Sequence, residues 1–356
     1  MSRLLINPGA IEHNYRFLDE LFRDKDISWS VTTKVLSGYE PFLAFLVDLG
    51  ARAFSDSRLE NLKLLRKLCP DAELTYIRPP NPLKAREVVK FANVSLNTEL
   101  ETILALSETA ADQGKVHEVI IMVELGELRE GIMPGGMMEL YVQSAQLPGI
   151  RVAGFGTYFS RVEGVAYIFD KLAQFTRCKR TLEEKFDADI PLCSAGTSII
   201  LPNLIAGKLP QGINHFRIGE SLFLATNLVN TGYIEGLEKD AFRFCASILE
   251  LKDKPRAFTG EIPEDCEGGY EGERAVRAVL DTGKLDVPAD HLYPEDEKVK
   301  VITSSTDLLV IDLSETGKSY RLGEEIYFNV DYTALLALMH SRYVDKEIVT
   351  PLQPAS

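Results

Sequence analysis

Up to about residue 225 the chain repeats one pattern: a short apolar or β-branched run, a turn, then a longer stretch with leucine or alanine every three or four positions. This is the signature of successive βα units, in which a buried strand is followed by a helix that covers the sheet. Eight strands are expected, at 29–35, 52–55, 73–77, 94–96, 119–125, 152–158, 192–194 and 215–219, with helices at 40–49, 57–68, 97–113 and 166–186 among those between them. Eight such units close naturally into a (β/α)8 TIM-type barrel. Beyond about residue 240 the period changes to two, at 246–251, 277–280, 299–303, 308–313 and 325–330, with Gly, Pro and Asp turns between. The expected organisation is a barrel over 1–228 followed by a C-terminal β domain over 229–356.

Charge and cysteine usage narrow the function. A net charge of -14 opposes binding to nucleic acid or to an anionic membrane, because a phosphate backbone is met by concentrated basic surface. A small-molecule substrate is the better expectation. The apolar runs, such as 42–47 and 119–123, are far too short to cross a bilayer. The opening MSRLLINPGA lacks a basic region followed by an apolar segment, so a cytoplasmic location is expected. Cys69, Cys178, Cys193, Cys245 and Cys266 are odd in number, widely spaced and form no CxxC pair, so neither a disulfide framework nor a zinc site is suggested.

In a barrel of this kind the chemistry gathers just past the strand ends. Lys34 stands at the end of the first strand, where partial desolvation would lower its pKa and free a neutral amine for a Schiff base. By position alone a lysine at a strand end is more often a solvated surface residue. The loops after the seventh and eighth strands, Ser194-Ala195-Gly196-Thr197-Ser198 and Arg217-Ile218-Gly219-Glu220-Ser221, are rich in small and hydroxyl residues. These two loops form the usual phosphate cradle of barrels, although the glycines would serve plain turns as well.

Taken with these, several strings in order resemble one family. They are Thr32-Thr33-Lys34-Val35, Asp56-Ser57-Arg58-Leu59-Glu60-Asn61-Leu62, Ser95-Leu96-Asn97-Thr98-Glu99, Gly126-Glu127-Leu128-Arg129-Glu130-Gly131, Gly283-Lys284-Leu285-Asp286-Val287 and Asp331-Tyr332-Thr333-Ala334-Leu335. The chain is similar over nearly its whole length to the alanine racemase-like, fold type III pyridoxal-phosphate enzymes, and within them to the ornithine racemase branch. The resemblance implies that Lys34 carries pyridoxal 5'-phosphate and that Arg217 faces the pyridine nitrogen. A guanidinium only donates hydrogen bonds, so that nitrogen must accept. An unprotonated ring is a weaker electron sink, which suits the removal and return of one proton. The resemblance further implies phosphate contacts from Thr197, Ser198, Ile218, Gly219 and Tyr332, a place for Arg129 beside the phenolic oxygen, and Tyr158 packed on the ring. A homodimer with shared active sites is implied in the same way.

The chain also departs from the family pattern. Racemisation by two bases needs a group on each face of the substrate carbanion, and Lys34 serves only one. Where the family places a tyrosine for the other face, this chain reads Arg256-Ala257-Phe258-Thr259-Gly260-Glu261. Cys266 and Tyr270 nearby are the candidates to replace it. The lysine that precedes the barrel arginine in alanine racemases is Met122 here, so alanine need not be the substrate. A basic amino acid is expected, with Thr306 and Asp307 on the substrate side, where a carboxylate would pair with a side-chain ammonium. The alternatives are another pyridoxal-phosphate reaction such as decarboxylation or elimination, a non-catalytic cofactor-binding barrel, and a cofactor-free Schiff-base aldolase.

Overall fold

The computed structural model describes residues 2–159, 165–230, 232–256 and 273–349, with only the backbone of 165–167. The chain divides into two units, Glu12–Lys239 and a second made of Met1–Ile11 with Asp240–Ser356.

The first unit is the barrel. Eight expected strands are present, at Ser28–Thr32, Ala53–Asp56, Glu73–Tyr76, Val94–Asn97, His117–Met122, Ile150–Gly156, Leu192–Ser194 and His215–Ile218. They pair in parallel, the first seven each with its neighbour in sequence and His215–Ile218 with the first strand, Ser28–Thr32. The short strand Gly196–Thr197 decides closure. Leu192–Ser194 ends one side of the nine-stranded path and Gly196–Thr197 ends the other, and only Ala195 separates them. One segment therefore pairs with Ile150–Gly156 through Gly156↔Ser194 and with His215–Ile218 through Phe216↔Gly196, which draws the sheet round on itself. Gly196 makes this possible, since a Cβ there would stand 2.1 Å from the Phe216 ring.

Helices follow most strands as the periodicity requires, at Glu40–Asp48, Leu59–Leu68, Leu100–Asp112 and Val165–Phe186 among others. Among the strand ends that differ from expectation, two bear on the site. The first strand stops at Thr32, and Lys34 begins a single 3₁₀ turn, Lys34–Leu36, rather than closing the strand. The sixth strand stops at Gly156, so Tyr158 lies in the loop beyond it. Both shifts move these residues further past the strand ends.

The second unit is built on an antiparallel sheet whose long strand Phe242–Pro255 pairs with Arg274–Leu280 and Glu325–Val330. The strands Lys300–Ser304 and Leu309–Asp312 extend it beyond Arg274–Leu280. Strand Arg3–Ile6 joins this sheet, antiparallel to Phe242–Pro255 and parallel to Asp345–Ile348, which is why residues 1–11 group with the C-terminal unit. A helix, Tyr332–His340, stands among the strands, with the Asp331 side chain accepting from the N–H groups of Thr333 and Ala334 as its N-cap.

Candidate active site

At the mouth of the barrel the eighth strand carries Arg217, buried to 7% exposure. Its Nη1 donates to the Ser194 carbonyl at 2.9 Å and to the Ser194 hydroxyl, and its Nη2 donates to the Thr157 carbonyl at 2.9 Å. A guanidinium has five N–H donors, so these three bonds fix its plane across two neighbouring strands and leave two donors. Burial lowers its pKa to about 10, which still leaves it charged at neutral pH. His215, two residues earlier on the same face of the strand, places Nδ1 2.6 Å from the Ser194 hydroxyl. Burial, and then the Arg217 charge, push His215 down to about 3, so it is neutral.

Arg129 is held by a loop that one carboxylate organises. Glu124 follows the fifth barrel strand, is buried to 7% exposure, and accepts from the backbone N–H groups of Gly126 and of Arg129, the latter at 3.1 Å. Burial pushes its carboxyl up, and the backbone donors of residues 126–129 outweigh that and hold it below the ordinary range. Gly131, at φ +145°, closes the same loop, and a Cβ there would lie 2.5 Å from the Glu124 nitrogen. The Arg129 guanidinium lies over the Tyr158 ring, 3.6 Å from its centre, and pairs with Glu130.

Lys34 is largely buried, and its pKa is lowered, first by burial and then by the Arg129 charge, against the attraction of Asp56, Glu220 and Glu130. Lys34, Arg129, Tyr158 and Arg217 thus share one end of the barrel. The seventh and eighth loops bring Thr197, Ser198, Ile218 and Gly219 together there as well. Gly219 packs with its Cα face against the Thr32 carbonyl, where a Cβ would approach to 3.0 Å. Ser198 Oγ accepts from the Ser221 N–H at 3.2 Å, which leaves its own O–H to donate outward. Thr197 Oγ1 is buried with no hydrogen-bond partner among the described residues. A buried hydroxyl without a partner is costly, and an anion would satisfy it. These residues therefore fit a phosphate ester, and Arg217 fits an acceptor nitrogen.

The remaining expected residues belong to the second unit or fall outside the described residues. In the second unit Tyr332 opens the helix Tyr332–His340. Thr306 and Asp307 lie in the exposed turn between Lys300–Ser304 and Leu309–Asp312. That turn is closed by Ser305, whose Oγ accepts from the Leu308 N–H at 3.1 Å. Cys266 and Tyr270 lie outside the described residues. Sequence reasoning passed over Glu124 and Ser194. The signal for Glu124 was a lone acid directly after an apolar strand and two residues before a glycine, the arrangement of a side chain that caps a loop.

The profile of the family described as "Alanine racemase, N-terminal domain" matches residues 6–227. The chain is 32% identical over 352 residues to an ornithine racemase of Acetoanaerobium sticklandii, covering 98% of this chain and 99% of that one. It is 28% identical over 348 residues to a lysine racemase of Thermotoga maritima, covering 97% of each. Among solved structures, alanine racemase from Bartonella henselae with covalently bound pyridoxal phosphate superposes with a TM-score of 0.76 at 16% identity, covering 98% of this chain and 99% of that one. D-threonine aldolase from Filomicrobium marinum does so at 0.74 and 16%, covering 95% and 89%. At such identities the two structures establish a common fold alone.

Proposed function

The chain belongs to the alanine racemase family, and on that premise we propose that it is a pyridoxal-phosphate-dependent racemase interconverting the L and D forms of a basic amino acid, ornithine first and lysine second. The observation that carries this is end-to-end similarity to two racemases of basic amino acids. The donor-only guanidinium of Arg217, fixed by the Ser194 and Thr157 carbonyls, and the unpartnered Thr197 hydroxyl support the cofactor.

When bound, pyridoxal phosphate supplies an aldehyde that an amine can hold covalently and a ring that acidifies the substrate Cα. Lys34 would hold it and would move the Cα proton on one face of the substrate. Burial lowers the Lys34 pKa, which favours the neutral amine. Arg217 points a permanent donor at the ring nitrogen and so keeps that atom an acceptor. Thr197, Ser198 and the backbone of Ile218 and Gly219 would hold the phosphate, and the family resemblance adds Tyr332. Arg129 stands by the phenolic oxygen and Tyr158 packs on the ring. Cys266 or Tyr270, supplied by a second copy in a homodimer, serves the opposite face. Thr306 and Asp307 meet the substrate side chain. The protein acts on free amino acids in the cytoplasm.

The test is D/L interconversion over a panel containing ornithine, lysine and alanine, in the wild type and in Lys34→Ala. Ornithine or lysine should turn over fastest, and Lys34→Ala should lose both turnover and the visible absorption of bound cofactor. Alanine as the best substrate would overturn the basic-substrate reading, and wild-type turnover in Lys34→Ala would overturn the role of Lys34.

A further inference from the structure

Directly behind Lys34 lies an acid that nothing in the proposed function uses. Asp56 ends the second barrel strand with no exposed surface. The strand register pairs Thr32 with Ser55, so Thr33 and Asp56 stand side by side at the next step. Asp56 Oδ2 accepts from Thr33 Oγ1 at 2.7 Å and from Asn61 Nδ2 at 3.1 Å. Its Oδ1 accepts from the Arg58 N–H at 2.8 Å, and the Ser57 N–H also donates to the carboxylate. Three of the four partners, the Asn61 amide and the two backbone N–H groups, can only donate. The Thr33 N–H in turn donates to the Ser55 carbonyl at 3.0 Å. The residue before Lys34 is thus clamped to the second strand by both its backbone and its hydroxyl.

We propose that Asp56 is an ionised positioning residue for Lys34, anchoring its turn through Thr33 and acting as the buried counter-charge that sustains the lysine's ammonium form. This rests on the reading of Lys34 as the cofactor-bearing lysine. The other charges that face Lys34 are Arg129, which disfavours the ammonium, and Glu220 and Glu130, which favour it less than Asp56 does. Burial pushes the Asp56 carboxyl above the ordinary carboxylate range, and the hydroxyl, amide and backbone donors draw it only part of the way back. Four donors on one carboxylate supply the solvation that water would otherwise give, which is what an ion in this position requires. A fixed negative charge behind a largely buried amine raises that amine's pKa, so its removal must lower it.

The experiment uses the full chain stripped of cofactor, with pyridoxal phosphate as the probe. Condensation of its aldehyde with the Lys34 amine releases water, borohydride reduces the resulting C=N bond, and the labelled peptide is quantified by mass across pH. Only the neutral amine condenses, so the pH midpoint of labelling reports the Lys34 pKa. In Asp56→Asn the midpoint should move down by on the order of one pH unit, while Asp56→Glu, which keeps the charge, should stay near wild type. Asp56→Ser has the same predicted sign and serves if the amide variant does not fold. A midpoint that stays put or rises in a folded neutral variant overturns the proposal, since it would mean that Asp56 is uncharged or merely structural. Loss of the label in Lys34→Ala checks the underlying reading separately: label retained there would refute Lys34 as the cofactor lysine, whatever Asp56 does.

Discussion

Replacing Glu124 by alanine should release the loop that carries Arg129. The Glu124 carboxylate is buried and takes backbone N–H bonds from the Gly126 to Arg129 segment, those of Gly126 and Arg129 among them. A hydrogen bond to a charged group contributes about 1.5–3 kcal/mol. Two of them would reach about 3–6 kcal/mol, but the freed N–H groups regain water as the loop opens and the desolvation of the carboxylate is relieved, so a net loss of about 2–4 kcal/mol is expected. The loss should be local, because the loop can detach while the strands beneath it stay paired. Hydrogen exchange would therefore rise at residues 126–131, with the midpoint of barrel unfolding falling less than the full amount. Arg129 would leave the Tyr158 ring, and kcat/KM should fall at least tenfold, the equivalent of about 1.4 kcal/mol. The pH dependence has a definite sign. A carboxyl whose folded pKa lies below its unfolded value contributes stability above the unfolded value, about 4.3, and loses it as pH falls through the folded one. Wild type and Glu124→Ala should therefore differ most at neutral pH and converge in acid. Unchanged exchange at 126–131 together with unchanged kcat/KM would refute the account.

Three further outcomes can be measured. Verified mixed dimers of Lys34→Ala subunits with subunits carrying both Cys266→Ala and Tyr270→Phe should recover part of the activity that each homodimer lacks; no recovery counts against shared sites. In Asp307→Asn, kcat/KM for ornithine should drop about ten- to hundredfold relative to alanine, the worth of one charge-assisted bond, and an unchanged ratio would remove Asp307 from the substrate contact. Gly196→Ala places a methyl 2.1 Å from the buried Phe216 ring at the closure of the barrel. Overpacking of this kind costs at least about 1–3 kcal/mol, read from the denaturant midpoint, and a midpoint equal to wild type would show that the ring moves aside without cost.

The barrel was legible because each βα unit announces itself locally. A strand such as Val94–Asn97 and the helix Leu100–Asp112 that follows carry their own period, and burial of one face is enough to produce it. Lys34 was singled out for the same reason, since a residue just past a strand end lies at the barrel mouth, whereas Arg217, inside the strand His215–Ile218, was singled out by the family resemblance alone. The helix Tyr332–His340 was missed although its cap, Asp331, stood in plain view, because the flanking period-two segments drew the reading toward strands.

What the residues determined by themselves was the order of elements and the chemistry available at their ends, since both depend on neighbours within a few positions. Only the tertiary structure decided which distant groups meet. Strand Arg3–Ile6 took its place beside Phe242–Pro255 and Asp345–Ile348, more than two hundred residues away. Ser194 was brought under Arg217, Glu124 became the cap of the arginine loop, and Asp56 came to stand behind Lys34. Each of these turns on a hydrogen bond or strand pairing, and a buried polar group takes its partner from whatever the closed fold sets beside it, however far off in the chain.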